Sequence, residues 1–244
     1  MEKRIDYKLE KAIDNAIIYL AQAFSASGHN EKPVISHSFR VGMMLFNYGY
    51  SRKIVLAGIL HDIIEDTDVS ADDLEKEYGF EIANMVSAVS FNAKIVSPKE
   101  QNLDVFHRCQ EYGVDALIVK CADIIDNIDY FVPTLGYEEL ALFLVDKYHS
   151  FFEIAKVFLA NEELFRIFED KIHHVDSLMN TFSIYYKEGG SPIHCPMPPP
   201  AASPWRGESR SNTSIYYKEG GSHESTGLLR RQDRRTRGTD SPLQ

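Results

Sequence analysis

Leu60-His61-Asp62-Ile63-Ile64-Glu65-Asp66-Thr67 is the stretch on which the fold of this chain turns. It ends an apolar stripe, Val55, Leu56, Ile59, Leu60 and Ile63, whose three- and four-residue spacing predicts a helix with Ser51 as its N-cap. The helix is expected to carry His61 and Asp62 near its end. Core packing asks for apolar side chains here, yet five of the eight are polar. Adjacent His and Asp on a helix project about 100° apart, so an ion between them can take an imidazole nitrogen and a carboxylate oxygen together. Glu65 and Asp66 follow at i+4 from His61 and Asp62 and point toward the same region. The plainer explanation is a solvated acidic helix end. Acids at a helix C-terminus oppose the macrodipole, which weighs against it.

A catalytic metal needs three or more protein ligands, so the doublet must be joined from elsewhere. His37 is the best further nitrogen, expected to open a helix directly after a loop, Lys32 to Ser36, and to be followed by Val41, Met44 and Leu45 with Gly49 as a stop. The last ligand is sought in Val119-Lys120-Cys121-Ala122-Asp123-Ile124-Ile125-Asp126-Asn127, a mostly apolar helix with Asp123 and Asn127 four apart on one face. A carboxylate on such a face is costly unless paired, and a cation would compensate it. Cys121, two residues before Asp123, faces away and reads as buried packing.

Outward from these segments, clean two-residue alternation is scarce, so the body reads as an all-α helical stack. Further helices are expected at about Ile5 to Phe24, Ala71 to Tyr78, Phe80 to Ser90, Pro98 to Tyr112, Val114 to Phe131, Tyr137 to Leu159 and Glu162 to Tyr186. Ser97-Pro98 is a specific start signal. Residues 1-188 hold 18 Lys+Arg against 31 Asp+Glu, whereas residues 189-244 hold 8 against 5 together with seven of the ten prolines. The boundary predicts a folded domain at 1-188 and a disordered Pro/Gly/Ser/Arg-rich tail at 189-244. The acidic body speaks against a stable nucleic-acid complex. Only three cysteines occur, none in a CxxC pair, and no run of about 18 apolar residues is present, so a cytoplasmic protein with no membrane association is expected.

The order His37, then His61-Asp62-x-x-Glu65-Asp66-Thr67, then Ala122-Asp123-x-x-x-Asn127, resembles the HD-domain hydrolases of RelA/SpoT-type proteins and the stand-alone small alarmone hydrolases of the stringent response. The likeness covers about residues 8-160, and the pattern HDxxEDT is much more specific than a bare HD pair. The resemblance implies one Mn²⁺ ion held by His37, His61, Asp62 and Asp123, with Glu65 and Asp66 orienting and polarising the attacking water. It implies substrate contacts from Asn127, and His29, Lys120 and Arg40 are further candidates. The implied activity is guanosine-3′,5′-bis(diphosphate) 3′-pyrophosphohydrolysis, which turns (p)ppGpp into GDP or GTP and pyrophosphate. The sequence departs from the family in three places: only His29 stands where a basic residue stacks on guanine, and Ile124 and Asp129 occupy two usually basic positions. An HD phosphatase of a less charged nucleotide and a non-catalytic nucleotide-sensing HD module are therefore the alternatives.

Overall fold

The computed structural model describes residues 6–28, 34–133 and 137–187, the last four as backbone only. The regular elements among them are all helices: α1 Tyr7–Ser27, α2 Val34–Asn47, α3 Arg52–Leu60, α4 Ile63–Asp66, α5 Ala71–Tyr78, α6 Phe80–Val89, α7 Pro98–Tyr112, α8 Val114–Ile128, α9 Glu138–Leu159 and α10 Glu163–Lys187. The all-α expectation holds. The expected disordered tail, His29 and Cys195 lie outside the described residues.

Helix α8 is the axis of the stack. Its buried residues run almost without a break from Ala116 to Asp126, and it packs against α2, α3, α6, α7, α9 and α10. A helix apolar all round belongs in a core, each fully buried Leu, Ile or Val contributing about 1.5–3 kcal/mol. That burial makes Lys120, Asp123 and Asp126 informative, since all three charged residues are nearly inaccessible on this helix. A second packing centre lies between α7, α9 and α10, where Phe106, Phe151, Phe152, Phe165 and Phe168 meet ring to ring.

Several expected boundaries are confirmed by their caps. Ser70 and Asp73 form a reciprocal capping box at the start of α5. Ser97 accepts the Glu100 N–H, with Pro98 at the first position of α7. Others move. Helix α1 continues to Ser27 and ends at Gly28, whose φ of 64° is the left-handed conformation that suits glycine. Helix α2 begins at Val34, so His37 sits one turn inside it rather than opening it. The buried face Val34, Ser38, Val41, Gly42 and Leu45 extends the helical period back to that residue.

The larger correction concerns His61 and Asp62. Helix α3 ends at Leu60, and the pair occupies a turn before the single-turn helix α4. Asp62 has φ −94° and ψ −3°, a sparsely populated region common at turns and active sites. Periodicity does not see this break, because Ile63 continues the apolar stripe and is fully buried.

Candidate metal centre

Three segments bring the site together: the first turns of α2, the α3–α4 turn, and the second half of α8. Helices α2 and α3 approach closely at two glycines. A Cβ on Gly42 would lie 2.2 Å from the Ile59 side chain, and one on Gly58 would lie 2.3 Å from Leu45. The Gly58 carbonyl also seats His61, accepting a hydrogen bond from Nδ1 at 2.8 Å. A carbonyl cannot donate, so Nδ1 carries a proton and Nε2 is the nitrogen turned toward His37 and Asp123.

His61 Nε2 lies 3.1 Å from His37 Nε2 and 3.6 Å from Asp123 Oδ1, and His37 Nε2 lies 3.1 Å from that same oxygen. Asp62 borders the triad, its oxygens 3.2 Å from His61 Nε2 and 3.8 Å from His37 Nε2. Ligand atoms about 2.0–2.2 Å from a shared tetrahedral ion would stand about 3.3 Å apart. The observed spacings match. His37, His61 and Asp123 fit a divalent metal, with Asp62 beside them.

Electrostatics enforce the arrangement. Burial raises the Asp123 carboxyl pKa, but Lys120 and the two imidazoles outweigh it and hold the group well below the usual carboxylate range. Burial lowers the His37 pKa, yet its hydrogen bonds to Asp123 and Asp126 and the charge of Asp62 push it up to about 10. Without a cation, then, protons stand in for its charge, as expected of an ion site.

The other predicted residues fall around this centre. Glu65 lies on α4, and its Oε1 accepts the Phe91 N–H at 2.7 Å. Asp66, half-buried, ends α4, and its own N–H donates to the Asp62 carbonyl at 2.9 Å. Asn127 Nδ2 donates to Asp123 Oδ1 at 2.7 Å. Lys120 is buried, with Nζ 2.8 Å from Asp123 Oδ2 and 5.5 Å from the centroid of the Phe91 ring. Arg40 is joined to Asp126 rather than directed at the triad, with Nε and Nη2 at 2.7 and 2.8 Å from its two carboxylate oxygens. The corner that presents Phe91 is fixed by Arg108, whose guanidinium gathers the Ser87, Ala88 and Ser90 carbonyls at the end of α6.

Sequence reasoning passed over two residues. Asp126 touches His37 Nδ1 at 2.7 Å. The available signal was register, since Arg40 stands three residues after His37 just as Asp126 stands three after Asp123. Lys147 on α9 faces the site from the other side. Burial and the nearby Lys120 bring its amine down to about 8, while Asp123, Glu65 and Asp62 act in the opposite direction. It lines a depression with Lys99, Asn102, Phe143, Asp146 and Ser150. No motif marks it.

The HD domain family profile matches residues 16–134, a stretch containing all the residues of the triad. A probable guanosine-3′,5′-bis(diphosphate) 3′-pyrophosphohydrolase of Mycoplasma pneumoniae is 32% identical over 130 residues, covering 46% of this chain and 18% of that protein. The enzyme of that same name, MESH1, from Drosophila melanogaster is 27% identical over 100 residues, covering 40% of this chain and 55% of that protein. The chain thus spans under a fifth of the length of the bacterial relative and about half of the fly one. Among solved structures, a metazoan ortholog of SpoT that hydrolyzes ppGpp is 20% identical with a TM-score of 0.48, covering 77% of this chain and 98% of that one.

Proposed function

We propose that the chain is a divalent-cation-dependent hydrolase that removes the 3′-pyrophosphate of (p)ppGpp, with Mn²⁺ held by His37, His61, Asp62 and Asp123. The observation that carries this reading is the meeting of His37 Nε2, His61 Nε2 and Asp123 Oδ1 within 3.1–3.6 Å inside a helical core. The names of the relatives support the substrate.

A bound divalent cation lowers the pKa of water and offsets charge on phosphoryl oxygens. The chain's own residues supply the rest. Glu65, anchored through Oε1 by the Phe91 N–H, orients a water against the phosphorus next to the ribose 3′ oxygen and accepts its proton, with Asp66 beside it. The new bond forms between water oxygen and that phosphorus. The bond to the 3′ oxygen breaks, pyrophosphate departs and the 3′ oxygen takes a proton. Asn127 steadies Asp123, and Lys147 supplies positive charge toward the phosphates. His29, outside the described residues, is the proposed contact for the base. The hydrolase unit spans residues 1–188, and the free, buried Cys109 and Cys121 suit a reducing compartment such as the cytoplasm.

Incubating the full chain with Mn²⁺ and a nucleotide panel tests the reading, and release of pyrophosphate from guanosine tetraphosphate is expected. Orthophosphate from a nucleoside monophosphate would shift it to the second reading, a phosphatase of a less charged nucleotide. That alternative is favoured by Ile124 and Asp129, the latter already paired with Lys171. Glu65→Gln should leave Mn²⁺ bound and slow turnover by roughly 10²–10⁴.

A further inference from the structure

We propose that Asp126 and Arg40 are a positioning pair for His37, Asp126 deciding which imidazole nitrogen carries the proton and Arg40 acting through Asp126 rather than on substrate. The inference rests on the metal reading above and concerns two residues that the ligand motif does not contain.

Asp126 Oδ2 lies 2.7 Å from His37 Nδ1. An ionised carboxylate only accepts, so Nδ1 keeps its proton, and Nε2, which faces Asp123 and His61, is the nitrogen that would yield its proton to a cation. A ligating imidazole that donates its other N–H to a carboxylate has its tautomer and ring orientation fixed and its basicity raised. Asp126 itself is 4% exposed, and a second buried carboxylate beside Asp123, with the half-buried Asp62 close by, would be unfavourable alone. Arg40 removes that cost. Its Nε donates to Oδ1 at 2.7 Å and its Nη2 to Oδ2 at 2.8 Å, a fork-on-fork pair that gives Asp126 one orientation. The guanidinium lies over the Tyr130 ring, 5.2 Å from its centroid, which holds the fork from the solvent side. Two matched pairs thus lie across the α2–α8 contact, His37 with Asp123 and Arg40 with Asp126. A lysine at position 40 would keep the charge and lose the planar fork.

The test is Mn²⁺ binding by the full chain without nucleotide, read by electron paramagnetic resonance of the free ion, alongside thermal unfolding. Asp126→Asn and Asp126→Leu should each weaken Mn²⁺ binding 10–100-fold. Arg40→Gln should weaken it by a smaller factor, Arg40→Lys should only partly rescue it, and Arg40→Gln should add nothing in the Asp126→Leu background. With Zn²⁺ in place of Mn²⁺, histidine ¹H–¹⁵N spectra should report His37 protonated at Nδ1 in the wild type and a mixed tautomer in Asp126→Leu. A change of packing alone would not produce that signature. If Asp126→Leu does not fold, the near-isosteric Asp126→Asn and the half-exposed Arg40 variants still decide the matter. Variants of Asp126 that fold and bind Mn²⁺ like the wild type would overturn the proposal. An increase in KM for nucleotide on Arg40→Gln, equal with Asp126 present or replaced, would make Arg40 a substrate contact instead. A wild type that takes up neither ion would sink the metal reading itself, a separate result from loss in the variants alone.

Discussion

Lys147 shows what one side chain contributes that no motif records. Its amine lies toward Asp123, Glu65 and Asp62, yet among the described residues it has no ion pair, and burial brings its pKa down to about 8. Because the folded value is below the unfolded one near 10.4, the unfolded chain binds more protons between about pH 8 and 10.4. Charged Lys147 therefore opposes folding of the metal-free protein at pH 7, and the opposition fades as pH rises through that window. Lys147→Met should unfold at higher urea concentration than the wild type at pH 7, with the gap closing by pH 10. A gap that widened with pH would contradict the assignment. In catalysis the same substitution should raise KM for a polyphosphorylated nucleotide about tenfold, the scale of one lost charge-assisted contact.

At the scale of elements, the α2–α3 contact fixes the distance between the two imidazoles. Gly58→Ala would drive a methyl into Leu45, a fully buried side chain, and should cost roughly 1–3 kcal/mol, measurable as a lower urea midpoint at unchanged m-value. Since Gly58 also accepts from His61, Mn²⁺ affinity should fall with stability. Most of the elements were legible from the sequence because caps and periodicity agree, as at Ser70, Ser97 and the apolar length of α8. Where they disagreed with the structure, tertiary contact had decided the outcome. The apolar stripe runs unbroken through Ile63, so the turn at His61 and Asp62 leaves no trace in it. Lys147, by contrast, reaches the site only because α9 packs beside α8.

For the whole molecule, the aromatic and aliphatic core lies apart from the triad, while the proposed metal centre would tie α2, the α3–α4 turn and α8 to one point. Chelation should leave far-ultraviolet circular dichroism unchanged. Adding Mn²⁺ at 100 times its Kd should then stabilise the chain by about 2.7 kcal/mol, a rise in Tm of roughly 5–10 °C by calorimetry. Loss of helix on chelation would mean that the ion is needed for folding. Burial pushes the Cys109 thiol up to about 12 and raises Cys121 further, so neither should react with a thiol reagent at pH 8 until the chain is unfolded. No helix of the described residues is long and apolar enough to cross a membrane.

The two oxygens of Asp123 have separate commitments, Oδ2 to the ammonium of Lys120 and Oδ1 to the imidazole side. Such a carboxylate can offer only a single-oxygen bond, so the proposed set of His37, His61, Asp62 and Asp123 would contribute few donor atoms, half of them nitrogen. Calcium, which wants six to eight oxygens and often a bidentate acid, is poorly served by such a sparse nest. In the proposed site, discrimination against calcium would thus follow from a lysine that never needs to touch the metal.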